Sequence, residues 1–347
     1  MSMQYENQVS ILSAMEVIWN LCEILFVEAA QAGSLLVLLL DWIKMHVCQV
    51  DAMTDQLLAS ENPTTHLYYW NVVIGYVLQG RIGEARQLLA KKAATEPAAM
   101  SMYRCMDDLL KKMPIFISAN NQSITDFELK WRHWQEECER CLREGTFASN
   151  GDLLLICRIL AGNEDALLEK KDIMATWYHF LVSKLLYSHP TIKPTDLYQY
   201  AQLCLNNFLT YGSSADALDR ILLAVFEFNI HQVLKDCSVI LNNWWFVAHL
   251  TDLLDHCNLL QSHNLHFGSN LREFLILEYA SGLCCNDSLW QLAVDYFDHC
   301  PQFGRVYLEL YIERVPLDTE RKALKVLRIC EQRQMTEQGN FPKETGL

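Results

Sequence analysis

Three short patterns in this 347-residue chain set reactive side chains at spacings that chemistry can use. His249, Asp252 and His256 fall one turn apart and, with Trp245, line one strip of a helix at 100° per residue. Two imidazoles and a carboxylate so placed could hold a divalent metal. Asp107-Asp108 is the start of a magnesium-binding Asp-Asp-x-x-Asp arrangement. Cys138-x-x-Cys141 is half of a zinc site.

Each pattern has a plainer reading. The fifth position of that arrangement, counted from Asp107 as the first, is Lys111, whose cation repels a metal, and no second acidic motif follows. Cys138 and Cys141 continue the stripe Phe127, Trp131, Trp134, so both thiols read as core. The adjacent Cys284-Cys285 cannot supply the missing knuckle. The His-Asp-His strip flanks an apolar stripe of Leu250, Leu253, Leu254 and Cys257, and no distant fourth ligand is evident. A Gly-x-Ser-x-Gly nucleophile elbow is absent. The chain therefore carries no assigned catalytic, cofactor-binding or metal-ligating residue. Cys237 to Leu265, including Trp244-Trp245, reads as the buried spine of a helical stack. On that reading, replacing either tryptophan by alanine costs about 3–5 kcal/mol.

The surrounding elements are helical. Hydrophobic residues make up 51% of the chain against 20% charged, enough to bury a large core, and 13 Gly and 8 Pro are few for an all-β chain. A net charge of −14, with no Lys/Arg run longer than a pair, excludes a nucleic-acid groove or an anionic membrane surface. Thirteen cysteines without framework spacing fit a soluble chain in a reducing compartment. MSMQYENQVS lacks the basic and apolar regions of a signal peptide. The apolar window Leu21 to Leu40 contains Glu23 and Glu28 and reads as two amphipathic helices broken at Gly33-Ser34, not as a transmembrane segment.

In chain order, residues 1–8 read as a flexible N-terminus, 9–338 as a helical solenoid and 339–347 as a flexible tail. The first helix spans Val9 to Ala30. A hairpin follows from Trp70 to Ala93, turning at Gln79-Gly80-Arg81, with Ala85 where its helices approach. No fixed repeat recurs, so the solenoid is irregular. A turn-rich joint lies at 114–123. Thr125 and Glu128 form a capping box, Asp172 caps a helix carrying Trp177 and Phe180, and Pro316-Leu317-Asp318 caps the last helix. Val306 to Ile312 alternates as a strand would but fits a helix equally well, and its neighbours favour a helix.

NWWFVAHLTDLLDHCNLLQSHNL (Asn243 to Leu265), LREFLILEYASGL (Leu271 to Leu283) and KALKVLRICEQRQMTEQ (Lys322 to Gln338) closely resemble the eighty-five-kilodalton scaffold nucleoporin family of the Y-shaped subcomplex. LSAMEVIWNLCEILF (Leu12 to Phe26) and LKWRHWQEECER (Leu129 to Arg140) match it too. The resemblance implies an all-α, irregular J-shaped α-helical solenoid of the ancestral coatomer element group, related to COPII-coat rod proteins. It implies a structural role in the nuclear pore coat and in transport of protein and mRNA, without catalysis, cofactor or small-molecule ligand. The implied partners are Seh-type β-propellers and other Y-complex nucleoporins. Family members begin with a segment that adds a blade to the Seh-type propeller, whereas nothing before Val9 reads as strand. They also continue into a tail that docks at the hub of the Y, whereas the similarity here stops at Gln338. The expectation is a chain lacking both of these partner-binding ends. A cytosolic solenoid adaptor and a metal-dependent all-α enzyme are the alternatives that composition alone leaves open.

Overall fold

Apolar residues at helical spacing need a second helix to cover them, and consecutive helices here supply that cover for one another. A computed structural model describes residues 2–28, 34–116, 123–209, 215–260 and 270–335. Among these residues every long element is an α-helix, and the chain divides into two compact units, Met1–Leu241 and Asn242–Leu347. The division does not fall at 114–123. Residues 117–122 of that stretch lie outside those described, and the helices on either side of it belong to the first unit.

The first unit opens with α1 (Ser2–Cys22), which runs on as a π-helical turn (Glu23–Val27), and α2 (Ser34–His46). The helix thus starts at Ser2, inside the stretch expected to be flexible, and Glu23 lies exposed. Glu6–Val27 is long and apolar enough to cross a membrane by length and composition. In this fold, however, Ile18, Leu21 and Cys22 on that stretch are fully buried inside the stack.

After α3 (Gln49–Leu58) comes the hairpin of α4 (Tyr69–Leu78) and α5 (Ile82–Thr95). It turns at Gly80, whose φ of +69° suits a residue without Cβ, and Ala85 is fully buried at the helix approach. A Cβ at Gly80 would also press on Leu40 and Leu186. α6 (Met100–Lys112), α7 (Ile124–Arg143), α8 (Gly151–Leu160) and α9 (Glu164–Leu168) each pack on the helix before.

α10 (Trp177–Ser188) is buried on all sides from Trp177 to Tyr187 and packs back on α2. α11 (Leu197–Phe208), α12 (Ala217–Phe226) and α13 (Ile230–Ile240) complete the unit, with α12 against α1. Ser183 on α10 donates to the Leu78 carbonyl at 2.6 Å and Tyr187 to the Val77 carbonyl at 2.7 Å. They satisfy the last turn of α4, whose carbonyls have no partner within that helix.

The second unit consists of α14 (Trp244–His256), α15 (Leu271–Cys284), α16 (Trp290–Asp298), α17 (Gly304–Arg314) and α18 (Glu320–Gln332). Its core joins Ile276, Leu277, Trp290, Val294, Phe297, Leu308 and Val326. The ambiguous stretch 306–312 is helical within α17. Glu273, fully buried, accepts the backbone N–H groups of Gln302 and Phe303 at 2.9 and 2.6 Å just ahead of that helix. The tail beyond Gln338 lies outside the described residues.

Several helix starts differ from expectation. Ser123 stands at the cap of α7 without a side-chain cap bond, and Glu128 instead accepts from the Thr191 hydroxyl at 2.7 Å. Thr176, not Asp172, caps α10, and Thr319, not the Pro316–Asp318 turn, caps α18. Asn150, Asn163, Asn229, Asn243 and Asn270 cap five further helices, since the short amide oxygen reaches the N–H two or three residues on.

Candidate functional site

The strip His249, Asp252, His256 does form on one side of α14. The Asn243 side chain accepts the Phe246 N–H at 3.0 Å and sets where the helix begins. From that start Phe246, Val247, Ala248, Leu250, Thr251 and Leu254 turn inward. This phase leaves the tryptophans outside: Trp244 is 44% exposed and Trp245 46%. The expectation that both belong to a buried spine is corrected on this point. Their positions precede the inward-facing set, and among the described residues no helix buries them.

The strip faces Arg272, Ile276 and Tyr279 of α15 and Asp295, Tyr296 and His299 at α16 across a cleft of about 400 Å³. His249 Nδ1 lies 2.7 Å from the Trp245 carbonyl, so that nitrogen carries the proton. In the neutral ring Nε2 then accepts from the Tyr296 hydroxyl at 3.0 Å. His256 Nδ1 donates likewise to the Asp252 carbonyl at 2.7 Å. The Asp252 carboxylate takes the Arg272 guanidinium at 2.6 Å, and Asp255 stands 3.8 Å from the same group. The strip's polar atoms are thus spent on one another and on α15 and α16. Among the described residues no group of three or more His, Cys, Asp or Glu side chains converges as a metal would require.

The other two patterns also resolve into structure. Arg86 on α5 holds both oxygens of Asp107 at 2.7 and 3.1 Å, a bidentate tie between α5 and α6. Cys138 and Cys141 lie buried in the stripe of α7 with Phe127, Trp131 and Trp134. Two thiols from other helices join them. Cys105 Sγ of α6 is 4.0 Å from Cys141 Sγ, and Cys157 of α8 donates to the Cys138 carbonyl at 3.4 Å. Burial pushes the Cys157 thiol up to about 12 and Cys105 up to about 11, and Cys138 is raised as well, so these groups stay protonated and unreactive. Nothing in the sequence announces this cluster, because Cys105 and Cys157 stand far from Cys138 along the chain.

Helix packed on helix within each unit, with charged side chains spent on tying neighbours together, defines an all-α solenoid. A family model described as Nup85 Nucleoporin matches residues 1–340. The chain belongs to the Nup85 nucleoporin family. It is 65% identical over 335 residues to "Nuclear pore complex protein Nup85" of Danio rerio and 63% identical to that of Homo sapiens. The alignments take in 96% of this chain and 52% and 51% of those proteins. The "Nuclear pore complex protein Nup75" of Drosophila melanogaster is 29% identical over 340 residues, 94% of this chain and 49% of that protein. The chain spans about half the length of the curated relatives it matches.

Proposed function

We propose that this chain acts as a structural subunit of the nuclear pore complex, through protein–protein contacts on its helical faces and without catalysis. The observation that carries the reading is the family match over residues 1–340, joined to relatives named as nuclear pore complex proteins at 62–65% identity. The finer proposal is a place in the Y-shaped subcomplex beside Seh-type β-propellers and other Y-complex nucleoporins, at the nuclear envelope, serving protein and mRNA transport. Half-exposed aromatic side chains beside a cleft favour a binding role, since tryptophan and tyrosine dominate the energetics of protein interfaces. The test is a tagged pulldown of the 347-residue chain from nuclear-envelope extract, with partners identified by mass spectrometry. Recovery of Y-complex nucleoporins is the expected outcome. A folded chain that recovers none of them overturns the reading for this chain.

A further inference from the structure

The cleft on α14, α15 and α16 has two properties that point to one kind of ligand. His249 and Tyr296 line the cleft, and two further rings, Trp245 and Tyr279, pack against these from outside the lining. Trp245 lies 4.6 Å from His249 at an interplanar angle of 30°, and His249 meets the edges of Tyr279 and Tyr296 at 5.6 and 5.7 Å. Tyr279 and Tyr296 in turn stand edge to face at 5.1 Å. Trp245, stacked on His249, is 46% exposed beside the cleft. Indole faces carry negative potential and attract cations, a guanidinium above all because it can also stack flat.

The second property is the charge beneath the rings. The cleft holds a cation of its own, Arg272, but Asp252 and Asp255 both face it and leave one negative charge over. Arg333 is likewise outnumbered. It holds Asp298 at 2.8 Å and reaches Asp295 only at 3.6 Å, and the Asp295 side chain is 74% exposed at the cleft wall. These four carboxylates and two guanidiniums sum to −2. An incoming cation therefore meets a carboxylate at Asp295 that Arg333 holds only at 3.6 Å, and a half-exposed ring at Trp245.

We infer that this cleft is a docking site for an arginine side chain presented by a peptide segment of a partner protein, the guanidinium stacking on Trp245 and pairing with Asp295. The side chain enters between α14 and α16, and Trp244, 44% exposed at the same end of α14, covers the apolar residue next to the arginine. The inference does not depend on the pore assignment, because purified chain and synthetic peptide suffice to test it.

The experiment titrates the 347-residue chain with a fluorescein-labelled Leu-Arg-Gly-Arg-Leu peptide and reads polarisation, with Leu-Glu-Gly-Glu-Leu as the opposite-charge control. The indole N–H signal of Trp245, assigned by its loss in W245L, is followed in parallel. Binding of the arginine peptide alone, a shift of that indole signal, and weakening by about fivefold in each of W245L and D295N are expected. Trp245 is half-exposed and Asp295 largely so, and unchanged melting temperatures in the two variants separate lost binding from lost fold. Equal affinity for wild type, W245L and D295N would mean diffuse attraction to an acidic chain and would overturn the site, as would no binding to the wild type.

Discussion

α7 and α14 each carry a pair of tryptophans among aromatic and thiol neighbours, and the two pairs meet opposite environments. Trp131 and Trp134 are 5% and 4% exposed, 4.9 Å apart ring to ring, and Trp134 donates its indole N–H to the Leu109 carbonyl at 2.8 Å. Trp244 and Trp245 are nearly half exposed. Residue type does not separate the pairs; phase does. Trp131 and Trp134 keep the i, i+4, i+7 rhythm that begins at Phe127 and ends at Cys141. Trp244 and Trp245 are the first two residues of α14, and its inward set starts only at Phe246.

The sharpest way to break this contrast is substitution. Trp134→Ala removes a fully packed ring and leaves the Leu109 carbonyl unpaired, so it should lower unfolding free energy by about 3–5 kcal/mol in urea titrations. A loss below about 1 kcal/mol would mean that α7 is not the wall it looks to be.

Histidines extend the comparison with a smaller effect. His179 on α10 is fully buried with neither ring nitrogen bonded, and burial alone holds its proton affinity down to about 4 from the ordinary 6.5. Between those values the unfolded chain takes up a proton that the folded chain refuses. Stability is therefore full above pH 6.5 and falls as pH drops toward 4, by about 3 kcal/mol in all. Denaturant midpoints measured from pH 7 to pH 4 should show this fall in the wild type and a flatter profile in His179→Met. Identical profiles would show that the ring finds a partner.

The smallest effect belongs to α14. Trp245→Ala and Trp244→Ala should each change stability by less than about 1 kcal/mol by thermal melts. A loss as large as that of Trp134→Ala would return the pair to the core.

Much of the fold was legible because local rules determine it. The stripe of α7, the Gly80 turn between α4 and α5 and the helical choice at 306–312 all follow from spacing within a dozen residues. Helix starts were less legible, since a run of Asn, Asp, Ser and Thr offers several caps and packing selects one of them. At the cleft, the strip His249, Asp252, His256 was visible as a strip. Its partners were not: Arg272 stands 20 residues from Asp252 and Tyr296 stands 47 from His249. Spacing along one helix carries no information about which face of another helix will meet it. The tryptophans of α14 were misjudged because their size was weighed without their phase.

The bonds from Ser183 and Tyr187 to the end of α4 join residues 105 and 110 positions apart. A chain emerging from the ribosome N-terminus first therefore makes the α4–α5 hairpin, where the Gly80 N–H already meets the Val77 carbonyl at 2.9 Å, long before Ser183 and Tyr187 can add their bonds. α1 and α2 wait longer still, since the helices that cover them are α12 and α10. The first unit cannot grow as a stack that locks one helix at a time. Its N-terminal helices gain their full cover only once α10 and α12 have been synthesised, which makes these contacts long-range ones of the slow-forming kind.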